Sequence, residues 1–209
     1  MKSTIFSTMM LIAGLLALPQ LVQAADLAAG KTAYTVCAAC HGQNAEGNRA
    51  MNAPKLAGQE AWYLERQLDD FRAGLRGTAP GDTFGMQMRP MAMAVGDPTA
   101  QANLIAYITS LPDVDAEPTI SGDAAAGKAS YTVCAACHGQ NAEGNQQMGG
   151  PKLAGQEDWY LVRQITNYQK GLRGYDPKDT FGNQMKPMAA TLTSEKAIND
   201  VVAYIDSLD

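Results

Sequence analysis

The chain has 209 residues, 46% of them hydrophobic and 18% charged, with a formal net charge of −5. That balance describes a globular protein, and its acidity excludes a nucleic-acid partner, because phosphate binding needs clustered Lys and Arg. Its two histidines are too few to give each half of the chain a multi-histidine metal site or a His-paired catalytic triad.

Met1 to Ala24 opens with Lys2, runs through the apolar stretch Met9 to Leu18 and ends on Val22-Gln23-Ala24. A basic start, a short apolar run and small residues at −3 and −1 read as a secretory signal peptide, residues 1–24. The run is shorter than the ~20 residues of a membrane span. Loss of Lys2 leaves 15 basic against 21 acidic residues, a charge of −6. The expected location is a bacterial periplasm, where paired cysteines oxidise unless something else claims them. No later run is long enough to span, so any membrane association is expected to be peripheral.

The rest is one unit written twice. Shifted by 97 residues, Gly30–Leu111 lies on Gly127–Leu208 without a gap, and about 50 of the 82 positions are identical. Tyr34–Asn48 returns unchanged as Tyr131–Asn145, and Pro54–Glu60 as Pro151–Glu157. Two copies are too few for a solenoid, so two domains are expected, residues 25–111 and 123–209. Between them the acidic, proline-bearing segment 112–122 reads as a linker and solvated spacer.

Each unit is helical in pattern. Asp26 and Asp123 cap a first helix leading into the cysteines. Leu64, Leu68, Phe71 and Leu75 fall at i, i+4, i+7 and i+11, matched by Leu161, Ile165, Tyr168 and Leu172. A last helix runs from about Thr99 to Leu111, and from Ser194 to Leu208. No stretch alternates long enough for a strand. The loops are long for so small a domain, and aromatics are only 7%, which together suggest a cofactor filling the middle.

Cys37-Ala38-Ala39-Cys40-His41 and Cys134-Ala135-Ala136-Cys137-His138 use every cysteine and histidine in the chain. C-x-x-C-H is the attachment sequence of c-type haem. Thiols three residues apart on a helical turn reach the two vinyl groups of one haem edge, and the next histidine ligates the iron. A redox disulfide would want an alternating strand–helix pattern. A zinc site would want four ligands, and each unit offers three. Two covalently bound haem c groups are therefore expected, on Cys37, Cys40, Cys134 and Cys137, with His41 and His138 as axial ligands.

No histidine is left for the sixth iron position, so methionine is the candidate. Met86 aligns with Asn183 and Met93 with Ala190, so neither is shared. Three pairs survive: Met51/Met148, Met88/Met185 and Met91/Met188. The first sits close after the haem motif in a loop and is disfavoured. Spacing favours Met88/Met185 over Met91/Met188 without closing the choice. Trp62-Tyr63 and Trp159-Tyr160 either reach haem propionates with N–H or O–H or serve as core aromatics. Arg66 and Arg163, with Arg76 and Arg173, are kept in both copies and suit propionates. Lys55 and Lys152 are expected to face solvent.

Both units resemble class I cytochromes c, with a first helix, C-x-x-C-H, a glycine-rich loop, a middle helix, a methionine loop and a last helix. The doubled arrangement with P-K-L-A-G-Q after each haem motif resembles the dihaem cytochrome c4 family. The resemblance covers essentially all of the chain after the leader. It implies an all-α fold of two tandem domains, each a few helices wrapped around one covalent haem. It also implies axial Met88 and Met185, and carbonyls of Pro54 and Pro151 holding the histidines by their second ring nitrogen. Tyr34/Tyr107 and Tyr131/Tyr204 would meet where first and last helices cross. The function implied is electron transfer, not catalysis, between a quinol-oxidising complex and a terminal oxidase or reductase, through transient docking. The rival is a haem-bearing subunit of a periplasmic oxidoreductase such as a sulfur-compound dehydrogenase. The near symmetry of the units departs from family members whose halves differ markedly, and leaves Met86 against Asn183 and Arg89 against Lys186 as differences near the haems.

Overall fold

A computed structural model describes residues 24–208. The signal-peptide expectation lies outside the described residues. Among these, no helix is long and apolar enough to cross a membrane.

The first unit runs α1 (Leu27–His41), α2 (Ala61–Ala73), α3 (Thr83–Ala94) and α4 (Pro98–Thr109). The second runs α5 (Ala124–Tyr131), α6 (Ala135–His138), α7 (Asp158–Gln169), α8 (Thr180–Ala190) and α9 (Glu195–Asp206). No strand occurs among the described residues. The start signals act as expected: the Asp26 carboxylate accepts from the amides of Ala28 and Ala29, and Asp123 from Ala126. Gly74 ends α2 in the left-handed region at φ 76°. Although the sequence from Tyr34 is repeated, α1 is continuous while its counterpart is divided into α5 and α6. At the division Cys134 N–H bonds Tyr131 at 2.8 Å, a tightened i−3 turn rather than a change of direction.

In each unit the first and last helices cross, α1 on α4 and α5 on α9. The crossing is close because Gly30 and Gly127 have no side chain. A Cβ on Gly30 would lie 2.1 Å from the Asn103 carbonyl oxygen, and one on Gly127 1.9 Å from that of Asp200. Tyr34 meets Tyr107 there with ring centroids 5.6 Å apart, and Tyr131 meets Tyr204 at 5.4 Å. Around these pairs the cores are thin: Leu64, Leu104, Ile105 and Ile108 in one unit, Leu161, Ile198, Val201, Val202 and Ile205 in the other.

Two expectations are corrected. The methionine segment is not a loop but lies on α3 and α8, which Asp82 and Asp179 begin by accepting from the amides of Gly85 (3.0 Å) and Gly182 (2.8 Å). Pro90 and Pro187 sit inside these helices, each withholding one N–H from the ladder. The second correction concerns the lysines and the linker. The Lys55 side chain is only 3% exposed. It donates to the carbonyls of Val114 and Gly155 and pairs with Asp113 at 2.6 Å, while Lys152 takes the other Asp113 oxygen at 3.0 Å. Farther along, buried Asp158 accepts from Thr119 and Ile120. The linker is therefore stitched to the body at both ends.

The units meet through an exchange related by pseudo-two-fold symmetry. Lys55 N–H donates to Glu157 at 2.9 Å, and Lys152 N–H to Glu60 at 3.0 Å. Gln59 donates to the Lys152 carbonyl and Gln156 to that of Lys55, both at 3.1 Å. Arg66 reaches the Gly149 carbonyl, and Arg163 the equivalent Asn52 carbonyl, both at 2.8 Å. Residue i meets j and j meets i, the pattern of an isologous interface formed within one chain.

Candidate functional site

Each unit holds a cleft enclosing about 1370 Å³, its open mouth included. The first is walled by Cys37, Cys40 and His41 of α1, by Met88 and Met91 of α3, and by Leu64, Leu68 and Leu104. The second repeats this with Cys134, Cys137, His138, Met185, Met188 and Leu161. The two-copy logic of the sequence thus becomes two equivalent chambers.

The histidines end the C-x-x-C-H turns, where Gly42 and Gly139 reverse the chain at φ 85° and 84°. His41 Nδ1 lies 2.7 Å from the Pro54 carbonyl oxygen and His138 Nδ1 2.8 Å from that of Pro151. Nδ1–H donates there, so Nε2 is left with its lone pair. Burial lowers the pKa of both imidazoles, against the opposing pull of the proline carbonyls. The neutral form is the one that binds a metal. Burial also pushes the Cys37 and Cys134 thiols up.

None of the four cysteines pairs in a disulfide, and all are partly buried at the clefts. Both methionine pairs favoured by spacing line the clefts, with Met88 and Met185 half-buried and Met91 and Met188 43% exposed. Met51 and Met148 stand exposed at the rims, while Met86 and Met93 are exposed and off the walls.

Trp62 and Trp159 do not line the clefts; each stands beneath an arginine, Arg66 at 4.9 Å and Arg163 at 4.8 Å from the ring centre. Of each W-Y doublet it is the tyrosine, not the tryptophan, that does the lining. Tyr63 and Tyr160 wall both clefts, as do Gln59, Gln67, Gln156 and Gln164. For the tyrosines the signal is the doublet W-Y kept in both copies, and for Gln59 and Gln156 the repeated P-K-L-A-G-Q. The arginines cross over: Arg66 lines the second cleft and Arg163 the first. Four charges recur in each cleft: Lys55, Arg76, Asp82 and Arg163 around the first, Lys152, Arg173, Asp179 and Arg66 around the second.

The residues present fit haem c. Two thiols and an Nε2 lone pair open on one chamber with a thioether from the third helix. The buried Nε atoms of Arg66, Arg76, Arg163 and Arg173, and Nε1 of Trp62, have no hydrogen-bond partner. Buried donors left unpaired cost ~1–3 kcal/mol each, and an acidic edge group such as a propionate would satisfy those arginines.

Known proteins agree with this geometry. The family model described as cytochrome c matches residues 27–112 and again 124–209. Cytochrome c4 of Azotobacter vinelandii is 36% identical over 199 residues, covering 88% of this chain and 90% of that protein. A protein of Stutzerimonas stutzeri (strain A1501) named thiosulfate dehydrogenase electron acceptor is 33% identical over 189 residues, covering 80% and 81%. The crystal structure of reduced recombinant cytochrome c4 from Pseudomonas stutzeri superposes with a TM-score of 0.67 at 30% identity, covering 89% of this chain and all of that one. Two tandem cytochrome c domains, each with one covalently bound haem c, make this chain an electron carrier of the dihaem cytochrome c4 family.

Proposed function

We propose that the chain is a periplasmic shuttle that takes electrons from a quinol-oxidising complex and delivers them to a terminal oxidase or reductase, docking transiently with each. The domains are taken as 25–111 and 123–209. Cys37, Cys40, Cys134 and Cys137 would hold the haems, with His41 and Met88 as axial ligands in one cleft and His138 and Met185 in the other. When bound, each haem supplies a one-electron iron couple, whose potential methionine ligation raises.

The observation that carries this reading is the shared wall. Tyr63, Tyr160 and four glutamines line both clefts, so the interface holds the two chambers in one fixed relation. With His and Met both committed, no position is left for a substrate, and the neutral imidazoles are tied to proline carbonyls. Arg76 and Arg173 lie buried at their own clefts, while Arg66 and Arg163 reach across. Each chamber thus receives cations from both units.

A second reading has one specific support, the 33% identical relative named thiosulfate dehydrogenase electron acceptor. In it the donor is a sulfur-compound dehydrogenase. Stopped-flow mixing of the oxidised protein with each donor system separates the two. Fast reduction by quinol with its oxidising complex, and slow reduction by thiosulfate with its dehydrogenase, is the expected result. The reverse order overturns the proposal in favour of the second reading.

A further inference from the structure

The four charges that recur in each cleft cancel when the clefts are compared. The second cleft carries one more. Asp70, on α2 of the first unit, reaches across the interface to line it, and the equivalent residue lining the first cleft is Asn167, an amide. Tyr168, which also lines the second cleft where Phe71 lines the first, adds no charge, because burial pushes its phenol up. Among the residues that line the clefts, one carboxyl therefore distinguishes the two chambers.

We propose that Asp70 sets a difference between the two haem potentials, its carboxylate lowering the potential of the haem held in the second cleft. The reason is elementary: a nearby negative charge favours Fe(III) over Fe(II). At a partly buried site that charge is poorly screened, unlike the acidic residues of the surface. Asp70 accepts from Gln67 at 3.3 Å. Burial and Asp179 push its carboxyl up, while Arg76, Arg66 and Arg173 pull it back. These are the charged groups that face it from α2, from the two loops after α2 and α7, and from the cap of α8. Ionisation of Asp70 lowers the second potential, so that potential falls as pH rises through the carboxyl's titration and is level outside it.

The inference rests on the two-haem reading above, and the test separates the two. The holoprotein is titrated potentiometrically, with each haem followed by its own paramagnetically shifted methyl resonances. In Asp70→Asn the Fe(II)/Fe(III) ratio of the second haem at fixed solution potential should rise about tenfold, which is about 59 mV for one electron. The first haem should move far less, and the pH-dependent step in the second haem should vanish. Asn167→Asp should lower the ratio of the first haem in the same way. Equal movement of both haems, or of neither, in Asp70→Asn overturns the assignment. So does an unmoved first haem in Asn167→Asp. Absence of two one-electron waves in the unaltered protein overturns the haem ligation itself, a failure visible before any substitution is made.

Discussion

Nδ1 of each histidine is committed to a proline carbonyl thirteen residues on, which fixes the tautomer and points the choice of axial chemistry at the methionines. Met88 and Met185 are more enclosed than Met91 and Met188, and an enclosed thioether is better protected from water that would compete for iron. Met88→Ala and Met185→Ala should each remove half of the far-red absorption of methionine-ligated ferric haem. Met91→Ala and Met188→Ala should leave it intact. Loss of the band in the second pair instead would transfer the ligand role to Met91 and Met188. The cysteines and histidines were legible from spacing because the chemistry of attachment is local. The methionine was not, because two thioethers three residues apart on one helix differ only in how deeply the fold encloses them.

At the scale of the helices, capping and periodicity carried most of the information. Asp26, Asp123, Ser194 and Gly74 stand where α1, α5, α9 and α2 begin or end. α3 and α8 stand where the family resemblance implies a methionine loop, and Gly85 with Pro90, and Gly182 with Pro187, mask their helical pattern. The usable sign was Asp three residues before Gly85 and Gly182, in cap position. The Gly30 and Gly127 crossings were equally hidden, since close approach depends on the partner helix. Gly30→Ala must push α1 off the Asn103 carbonyl and should cost ~2–3 kcal/mol, read as a lowered thermal midpoint of the holoprotein. An unchanged midpoint would show that the crossing relaxes freely.

Over the whole molecule, the contacts that join the units link residues roughly a hundred positions apart, so no local pattern announces them. The repeated P-K-L-A-G-Q-E was the trace they left: its Lys, Gln and Glu exchange bonds across the pseudo-two-fold axis. Asp113 stands on that axis between Lys55 and Lys152. Burial works against its ionisation, but the hydrogen bonds and charges of both lysines hold its carboxyl below the usual range. A lowered carboxyl pKa contributes stability above the unfolded value of ~3.9, which is lost as pH falls through the folded one. Asp113→Asn strands the buried Lys55 ammonium and should cost ~2 kcal/mol at pH 7. This is less than the ~3–5 kcal/mol of a fully buried pair, because Asp113 is 40% exposed. Denaturant unfolding should show the difference narrowing below about pH 4; a deficit constant with pH would contradict the ion-pair account. The thin aromatic cores make sense at this scale too, since each chamber is completed by a cofactor and by the other unit's middle helix. A carrier whose two haem irons both hold two protein ligands offers carbon monoxide no position, so titrating the reduced holoprotein, with its two covalent haems, should leave the absorption of both haems unchanged. Carbon monoxide binding at either haem would reveal an open iron position and a protein that is not a carrier alone.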